Sequence, residues 1–455
     1  MNAREVLGLL RLDDGRPWIA AATDWQRADA LAVLEGAEPY SFITRSRASS
    51  KTTDLSACAL SDLLTADDRL RSYWLAADAD QGALALDVIG GFVARTPTLA
   101  DRVEVQSRRV VIPATDCTLD VLPADAPSAW GLNPHRVYVD ELANWTDGVA
   151  ARRLWEAASS AVAKRSDARL CVLTTAGSPD HFAFKVLEHA RTSPLWHVSE
   201  RVGAAPWIDP ERLAEQRVRL PTAIYEQLWE NLWVAVSGSF LDPSVLAAAF
   251  TLPGPRLAPD GHHSFFAGLD LGLVNDATVF AIGHRDGDTI YLDRMETWQG
   301  SKSAPVDITG VVEPFIIEQH RRFHFHLKAD PWQGMDLVSR LKKRNVKADT
   351  YTFSTGSKQK LAQTLLSTVN NGALRLYDAQ GLKDELEALR LVQSSSTGGW
   401  SFDHTRQGHD DRSTALSLMV VAALEQPSSQ GWLDLWTREA EDAGTLPHKV
   451  KEEGN

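Results

Sequence analysis

RVYVDELANW, residues 136–145, places Asp140 and Glu141 side by side directly after the apolar run Val137, Tyr138 and Val139. Such a run, without polar alternation, reads as a strand buried on both faces, the form strands take in a parallel sheet covered by helices. A buried carboxylate without a partner is costly, so an acidic pair ending this strand needs a cation, a polar network or solvent beside it. The stretch therefore predicts an α/β architecture with a site at the carboxyl end of a strand.

Outward from this point, the first half alternates short apolar strands with helical stretches. YSFIT (40–44), RSYWLAA (71–77), SRRVVIPA (107–114) and ARLCVLTTAG (168–177) read as strands. TTDLSACALSDLL, DADQGALALDVIGGFVAR and ARRLWEAASSAVAKR (151–165) read as helices, giving the alternation of a mostly parallel sheet. SRASSKTT (46–53) falls between a strand and its helix, the place of a phosphate-binding loop whose backbone N–H groups and helix N-terminus face anionic oxygens. Lys51 would neutralise β and γ oxygens, and the Thr52 hydroxyl would hold Mg²⁺. Arg45 and Ser50 stand where such loops carry glycine. Taken alone, the segment also reads as a polar turn with a helix cap and a solvated lysine. Beside such a loop, Asp140 would bind Mg²⁺ through water and Glu141 would polarise the attacking water. TTAGSP (174–179) is a third strand end, with Thr174 and Thr175 placed to sense a γ-phosphate or simply to form a β-turn. Three such ends in chain order favour a nucleotide site over three unrelated turns.

Composition shifts after residue 200, through PWIDPERL and the Trp-rich LWENLWVAV to TLPGPRLAPDGHH, whose proline and glycine mark a linker and put a boundary near residue 255. Beyond it, FFAGLDLG (265–272) reads as a strand and ATVFAIGHRDGDTIYLDRMETW as two strands around an RDGD turn. FHFHLKAD (323–330) is a further strand, QGMDLVSRLKKR a helix, and DRSTALSLMVVAALEQ (411–426) an amphipathic helix before a polar tail. Asp270 lies within GLDLG, Asp330 ends HLKAD, and Asp410 with Asp411 open the last helix. An acid on a hairpin meander, one on a later strand and one on a helix are the ingredients of a ribonuclease H-like nuclease. There the carboxylates hold two divalent metals, Mg²⁺ or Mn²⁺, for in-line phosphodiester hydrolysis. Asp410 and Asp411 also suit helix capping, whereas Asp270 amid FFAGL has no local partner.

The bulk numbers fit this reading without carrying it. A chain of 455 residues exceeds one ordinary core, 44% hydrophobic with 24% charged residues is ordinary for a soluble globular protein, and no apolar run approaches a membrane span. The N-terminus lacks the layout of a secretion signal, so a cytosolic protein is expected. Cys58, Cys117 and Cys171 are widely spaced in apolar surroundings, which excludes a cysteine-based zinc knuckle. With 47 Lys and Arg against 60 Asp and Glu, the net charge of −13 argues against a protein that coats nucleic acid, though not against an enzyme with a local basic surface.

Together these motifs resemble the large terminase subunit of tailed bacteriophages, over roughly residues 15 to 425. SRASSKTT looks like that family's deviant Walker A loop, GLNPHRVYVDELANW its Walker B segment, and TTAGSP its coupling motif. LDLGLVNDATVFAI, KADPWQGMDLVSRL and GHDDRSTALSLMVVAAL are similar to its three nuclease motifs. The resemblance implies two domains, a P-loop ATPase with a mostly parallel sheet followed by a ribonuclease H-like nuclease with a mixed sheet. The expected layout is an ATPase domain over 1–200, a helical subdomain and linker over 201–262, a nuclease domain over 263–426 and a polar tail over 427–455.

Carried over by residue, the resemblance places ATP against Ser46, Arg47, Ser49, Ser50, Lys51, Thr52 and Thr53, with Asp140 and Thr52 at Mg²⁺. It implies Glu141 as catalytic base, Arg47 as arginine finger and Thr174 with Thr175 as coupling residues. Trp25 and Gln26 in DWQRAD could contact adenine, or lie on a surface helix. Asp270, Asp330 and Asp411 are implied as nuclease metal ligands, with Asp410 a neighbour that could replace Asp411. The function implied is ATP-driven packaging of double-stranded DNA into a procapsid, with endonuclease cutting of the concatemer. The implied partners are a portal protein, a small terminase subunit and further copies in a ring on the portal. The setting is the host cytoplasm, transiently on the procapsid, with no membrane. A recombination or transposition enzyme with a ribonuclease H-like core and an ATP-dependent domain is the alternative. The order of motifs, ATPase before nuclease in one chain, separates the two.

Overall fold

Strands in this chain form where β-branched and aromatic residues run together, as in YSFIT and RVYVD, and the sheet they build sets the position of every motif. The computed structural model describes residues 1–124, 132–236, 238–259, 261–274, 276–393, 399–404 and 409–425. It divides into one unit of residues 1–214 with 222–236, and a second of 215–221 with the chain from 237 onward. The tail expected over 427–455 lies outside the described residues. No described helix is long and apolar enough to cross a membrane.

The first unit holds an eight-stranded sheet: β1 (Tyr40–Thr44), β2 (Arg71–Ala76), β3 (Glu104–Val105), β4 (Arg109–Ile112), β5 (Cys117–Pro123), β6 (Arg136–Asp140), β7 (Arg169–Thr174) and β8 (Trp196–Glu200). The order is β3-β4-β5-β2-β6-β7-β1-β8, parallel from β5 to β8 and antiparallel at the β3–β4–β5 edge. β6, β7 and β1 are neighbours, so the turns after Asp140, Thr174 and Thr44 emerge side by side along one edge. Both faces are covered, because alternate residues point opposite ways. Tyr138, Cys171 and Leu173 join a core with Leu55, Ala59 and Leu60 of the helix Lys51–Thr65. Val137, Val139 and Val172 join another with Leu154, Ala158 and Leu187.

The second unit is built on a six-stranded mixed sheet of β9 (Phe265–Asp270), β10 (Thr278–Asp286), β11 (Thr289–Trp298), β12 (His326–Ala329), β13 (Lys347–Thr350) and β14 (Leu374–Arg375). In the order β13-β12-β9-β10-β11-β14, β9, β10 and β11 form an antiparallel meander and β12 lies parallel to β9. The Pro/Gly-rich stretch read as a linker is tied to this unit. Leu252 N–H donates to Leu376 O at 2.9 Å, Arg256 N–H to Asp293 O at 2.7 Å, and the Arg256 guanidinium pairs with the buried Asp293 carboxylate at 3.1 Å.

The helix Asp411–Glu425, expected to be amphipathic, is instead buried on nearly every side, from Asp411 through Ala415 and Met419 to Ala423. Of its two inward serines, Ser417 tolerates this by donating its hydroxyl to Ser413 O at 2.6 Å rather than facing hydrocarbon. The helix lies so close to β9 that a Cβ on Gly268 would meet Ala415 O at 2.0 Å and Met419 N at 2.6 Å. Backbone cannot yield as a side-chain tip can, so Gly268→Ala should destabilise the second unit by about 3 kcal/mol. Denaturant titration of the variant measures this, and an unaltered midpoint would show that the helix does not rest on β9.

Candidate active sites

The loop from Arg45 to Ser50 joins β1 to the helix Lys51–Thr65 with two non-glycine residues in the left-handed region, Ala48 (φ 57°) and Ser50 (φ 58°). Strain of about 1–2 kcal/mol per such residue persists only where the surroundings hold it, and it gathers at functional sites. Ser46 O anchors the loop, accepting from Ser49 Oγ at 2.5 Å and from Lys51 Nζ at 2.9 Å. Thr52 and Thr53 follow on the first helical turn, both half-buried. Arg47 is exposed, and its backbone N–H donates to Leu228 O at 2.6 Å.

Glu141, also left-handed at φ 51°, reaches back across the edge. Its Oε1 lies 3.2 Å from Lys51 Nζ, and its Oε2 accepts the Thr175 N–H at 2.9 Å. The Thr174 hydroxyl bonds the adjacent turns, accepting from Ala143 N–H at 3.1 Å and donating to Thr175 O at 3.0 Å. The three stretches SRASSKTT, VDELAN and TTAG thus form one contact network.

Asp140 is 2% exposed and receives the Thr52 hydroxyl on Oδ2 at 3.3 Å, while its Oδ1 is buried without a partner among the described residues. Burial first, and Glu141 second, push its carboxyl up to about 7, against the opposing pull of Lys51 and Thr52. An orphaned carboxylate oxygen beside a threonine hydroxyl is a set of oxygen donors that a hard divalent cation fits.

Arg45, standing where a glycine is usual, turns away from the loop and under it. Its guanidinium is 2% exposed and bridges Asp29 at 2.7 Å and Asp54 at 2.6 Å, with its Cζ over the Trp25 ring, 4.5 Å from the ring centroid. Gln26 belongs to the same cluster. Its amide nitrogen donates to Asp54 Oδ2 at 2.9 Å, and its oxygen accepts Thr23 N–H at 2.9 Å in a helix capping box. Both ends of the Gln26 amide are engaged, so contact with adenine would require releasing Asp54. Trp25 is half-buried, stacked on Trp207 at 6.1 Å with the Arg201 guanidinium 4.8 Å from its ring. No local pattern marks Arg45 as a structural pin, because its two carboxylates lie 16 and 9 residues away.

In the second unit Asp270 ends β9 and Asp330 follows β12, its N–H donating to Leu269 O at 3.1 Å, so the two acids leave adjacent parallel strands at the same end. Asp411 begins the helix packed on β9, and its Oδ2 accepts Ala277 N–H at 2.9 Å. Asp410 precedes it, its carbonyl accepting Thr414 N–H at 2.7 Å. Burial, then Asp411, Asp330 and Asp410, hold the Asp270 carboxyl well above the usual carboxylate range, and burial also raises Asp410 and Asp411. Among the described residues, no three His, Cys, Asp or Glu side chains are drawn together tightly enough to hold a metal ion as they stand. The acids converge as an open group whose mutual repulsion a cation would relieve.

Residues 33–188 match the family described as terminase large subunit, ATPase domain. The fold is similar to that of the large terminase from a thermophilic bacteriophage, with 12% identity and a TM-score of 0.52 over 88% of this chain and 98% of that one. The same phage's large terminase in complex with ADP aligns with 14% identity and a TM-score of 0.50 over 88% and 99%. The HK97 bacteriophage large terminase aligns over 93% and 100% at 17% identity, with a TM-score of 0.44. No curated protein matches the sequence.

Proposed function

We propose, from the ATPase-domain match over residues 33–188 and a fold similar to that of a phage large terminase, that the chain is a large terminase subunit in which ATP hydrolysis at the edge of the first sheet drives double-stranded DNA into a phage procapsid, while the acidic end of the second sheet cuts the concatemer. The observation that carries the reading is the contact of Lys51 with Glu141, and of Glu141 with Thr175, beside the unpartnered oxygen of Asp140. Lys51 and the backbone of Ser46–Ser50 bind the phosphates of ATP. As they draw the Lys51 ammonium away, Glu141 loses its ion pair and becomes a better base for the attacking water, still aimed by the Thr175 N–H. Arg47, exposed and without a side-chain partner among the described residues, serves as the arginine finger.

Thr52 and Asp140 would hold the cation that accompanies ATP, and Asp270 and Asp330, with Asp411 or Asp410, those of the nuclease. Mg²⁺ at the first site, and Mg²⁺ or Mn²⁺ at the second, would offset phosphate charge and supply activated water. The partners proposed are the portal protein, the small terminase subunit and further copies of the chain in a ring, acting in the host cytoplasm.

Lys51→Ala tests the nucleotide site. Removing the charge should raise KM for ATP and lower turnover together, with kcat/KM down by about 10²–10³-fold. Steady-state hydrolysis and nucleotide titration measure both quantities. Unchanged values would reduce SRASSKTT to a strand-to-helix turn.

A further inference from the structure

The segment between Thr222 and Val236, which closes the first unit, meets the phosphate loop, the end of β1 and the turn after β7. Leu228 O accepts the backbone N–H of Arg47 at the tip of the phosphate loop, at 2.6 Å. Asn231 goes further. Its side chain is 5% exposed, and its Oδ1 accepts both the Thr44 hydroxyl at 2.8 Å and the Ala176 N–H at 2.9 Å, while its Nδ2 donates to Arg201 O at 2.9 Å. One amide therefore joins the end of β1, the turn after β7 and the end of β8. Thr175, bonded to Glu141, is the residue immediately before Ala176. Trp233, two residues beyond Asn231, lies over the same turn, 3.7 Å from the place where a Cβ of Gly177 would stand.

Both carbonyl lone pairs of Asn231 are thus committed to buried groups, Thr44 and Ala176, that have no water to replace them, and one amide hydrogen is held by Arg201 nearer the surface. A shift of the Thr175–Ala176 peptide, such as follows when Lys51 leaves Glu141 for the phosphates of ATP, must either carry Asn231 with it or leave a buried donor unpaired. The second course costs about 1–3 kcal/mol. The backbone of Asn231 is itself held in the left-handed region at φ 55°, a conformation that asparagine tolerates better than most residues.

We infer that Asn231 is a positioning residue that conveys the nucleotide state from Glu141 and Thr175 to the segment 222–236, and through it to the chain entering the second unit. The inference rests on the ATPase reading above. It makes that segment a responsive part of the motor rather than a passive connection, a role not evident in the Trp-rich LWENLWVAV.

Hydrogen exchange of the full chain with ATPγS or ADP, each with Mg²⁺, tests it. In the unmodified protein, peptides from 45–52 and from 222–236 should both exchange differently in the two nucleotides. Asn231→Gly removes the amide at a backbone angle that glycine adopts without strain. The variant should keep the response of 45–52 and lose that of 222–236, with turnover down about tenfold and KM for ATP within about twofold. Asn231→Asp keeps the acceptor for Thr44 and Ala176 and should retain the response, which also carries the test if the glycine variant fails to fold. A 222–236 response that persists in Asn231→Gly, or that disappears in Asn231→Asp, overturns the inference. If the unmodified protein responds at 45–52 but not at 222–236, the inference fails alone; silence at both removes the ATPase reading with it.

Discussion

Glu141→Gln should bind ATP at least as tightly as the unmodified protein and hydrolyse it about 10²–10⁴-fold more slowly, the range a positioned general base contributes. The geometry argues for both halves of this result. The amide oxygen of glutamine can still accept the Thr175 N–H that now meets Oε2 at 2.9 Å, so the side chain keeps its aim. The ion pair with Lys51 at 3.2 Å is lost, which frees the ammonium for phosphate instead of leaving it divided between Glu141 and the Ser46 carbonyl. An amide oxygen is far too weakly basic to draw a proton from water, whatever its position. Single-turnover hydrolysis beside nucleotide affinity separates the two effects. Turnover near the normal rate would remove Glu141 from the chemistry, and a large loss of affinity would make its role structural.

The parts of this molecule that can be read from sequence are those where a local pattern and the tertiary environment ask for the same residues. YSFIT, RVYVD and RLCVLT are buried on both faces, so their apolar runs need no knowledge of what packs on them. WHVSE, by contrast, is only half-buried at the edge of the sheet, and its mixed composition carries no strand signal, although β8 completes the site through Arg201. The helix from Asp411 misleads for the opposite reason. Its serines and opening acids suggest a polar face, and only contact with β9 shows that they are buried.

The same distinction applies to the candidate site. Lys51, Asp140 and Glu141 are marked by position at strand ends, and the sheet order β6-β7-β1 brings those ends together, an order no local pattern encodes. Arg45 and Asn231 act through partners distant in sequence. Arg45 reads as a missing glycine, yet its two buried ion pairs fasten the loop from below. Asn231 is one polar residue in a run of tryptophans and leucines, and what distinguishes it is having three partners from three different strand ends, two of them buried.

Asp270→Asn should abolish DNA cleavage while leaving ATP hydrolysis within about twofold, because the two chemistries belong to different sheets and removing one negative charge cripples only a site that must hold divalent cations. The metal-free protein should respond in the other direction. The Asp270 carboxyl is held well above its usual range by burial and by Asp411, Asp330 and Asp410, so its ionisation costs stability in the folded state. That cost is absent below the unfolded value near 4, grows as pH rises through the higher folded value, and is complete above it. Asparagine removes the charge but keeps the shape, and relief of even about 1 kcal/mol would raise the melting temperature of a domain this size by about 2–4 °C. In EDTA the variant should therefore melt higher than the unmodified protein at pH 8 and converge with it at pH 4, whereas added Mn²⁺ should stabilise only the unmodified protein. A merely structural aspartate would show the reverse, with its loss lowering the melting temperature at neutral pH whether or not metal is present. Full cleavage by the variant would leave the first unit a translocating ATPase and take the nuclease away from the second.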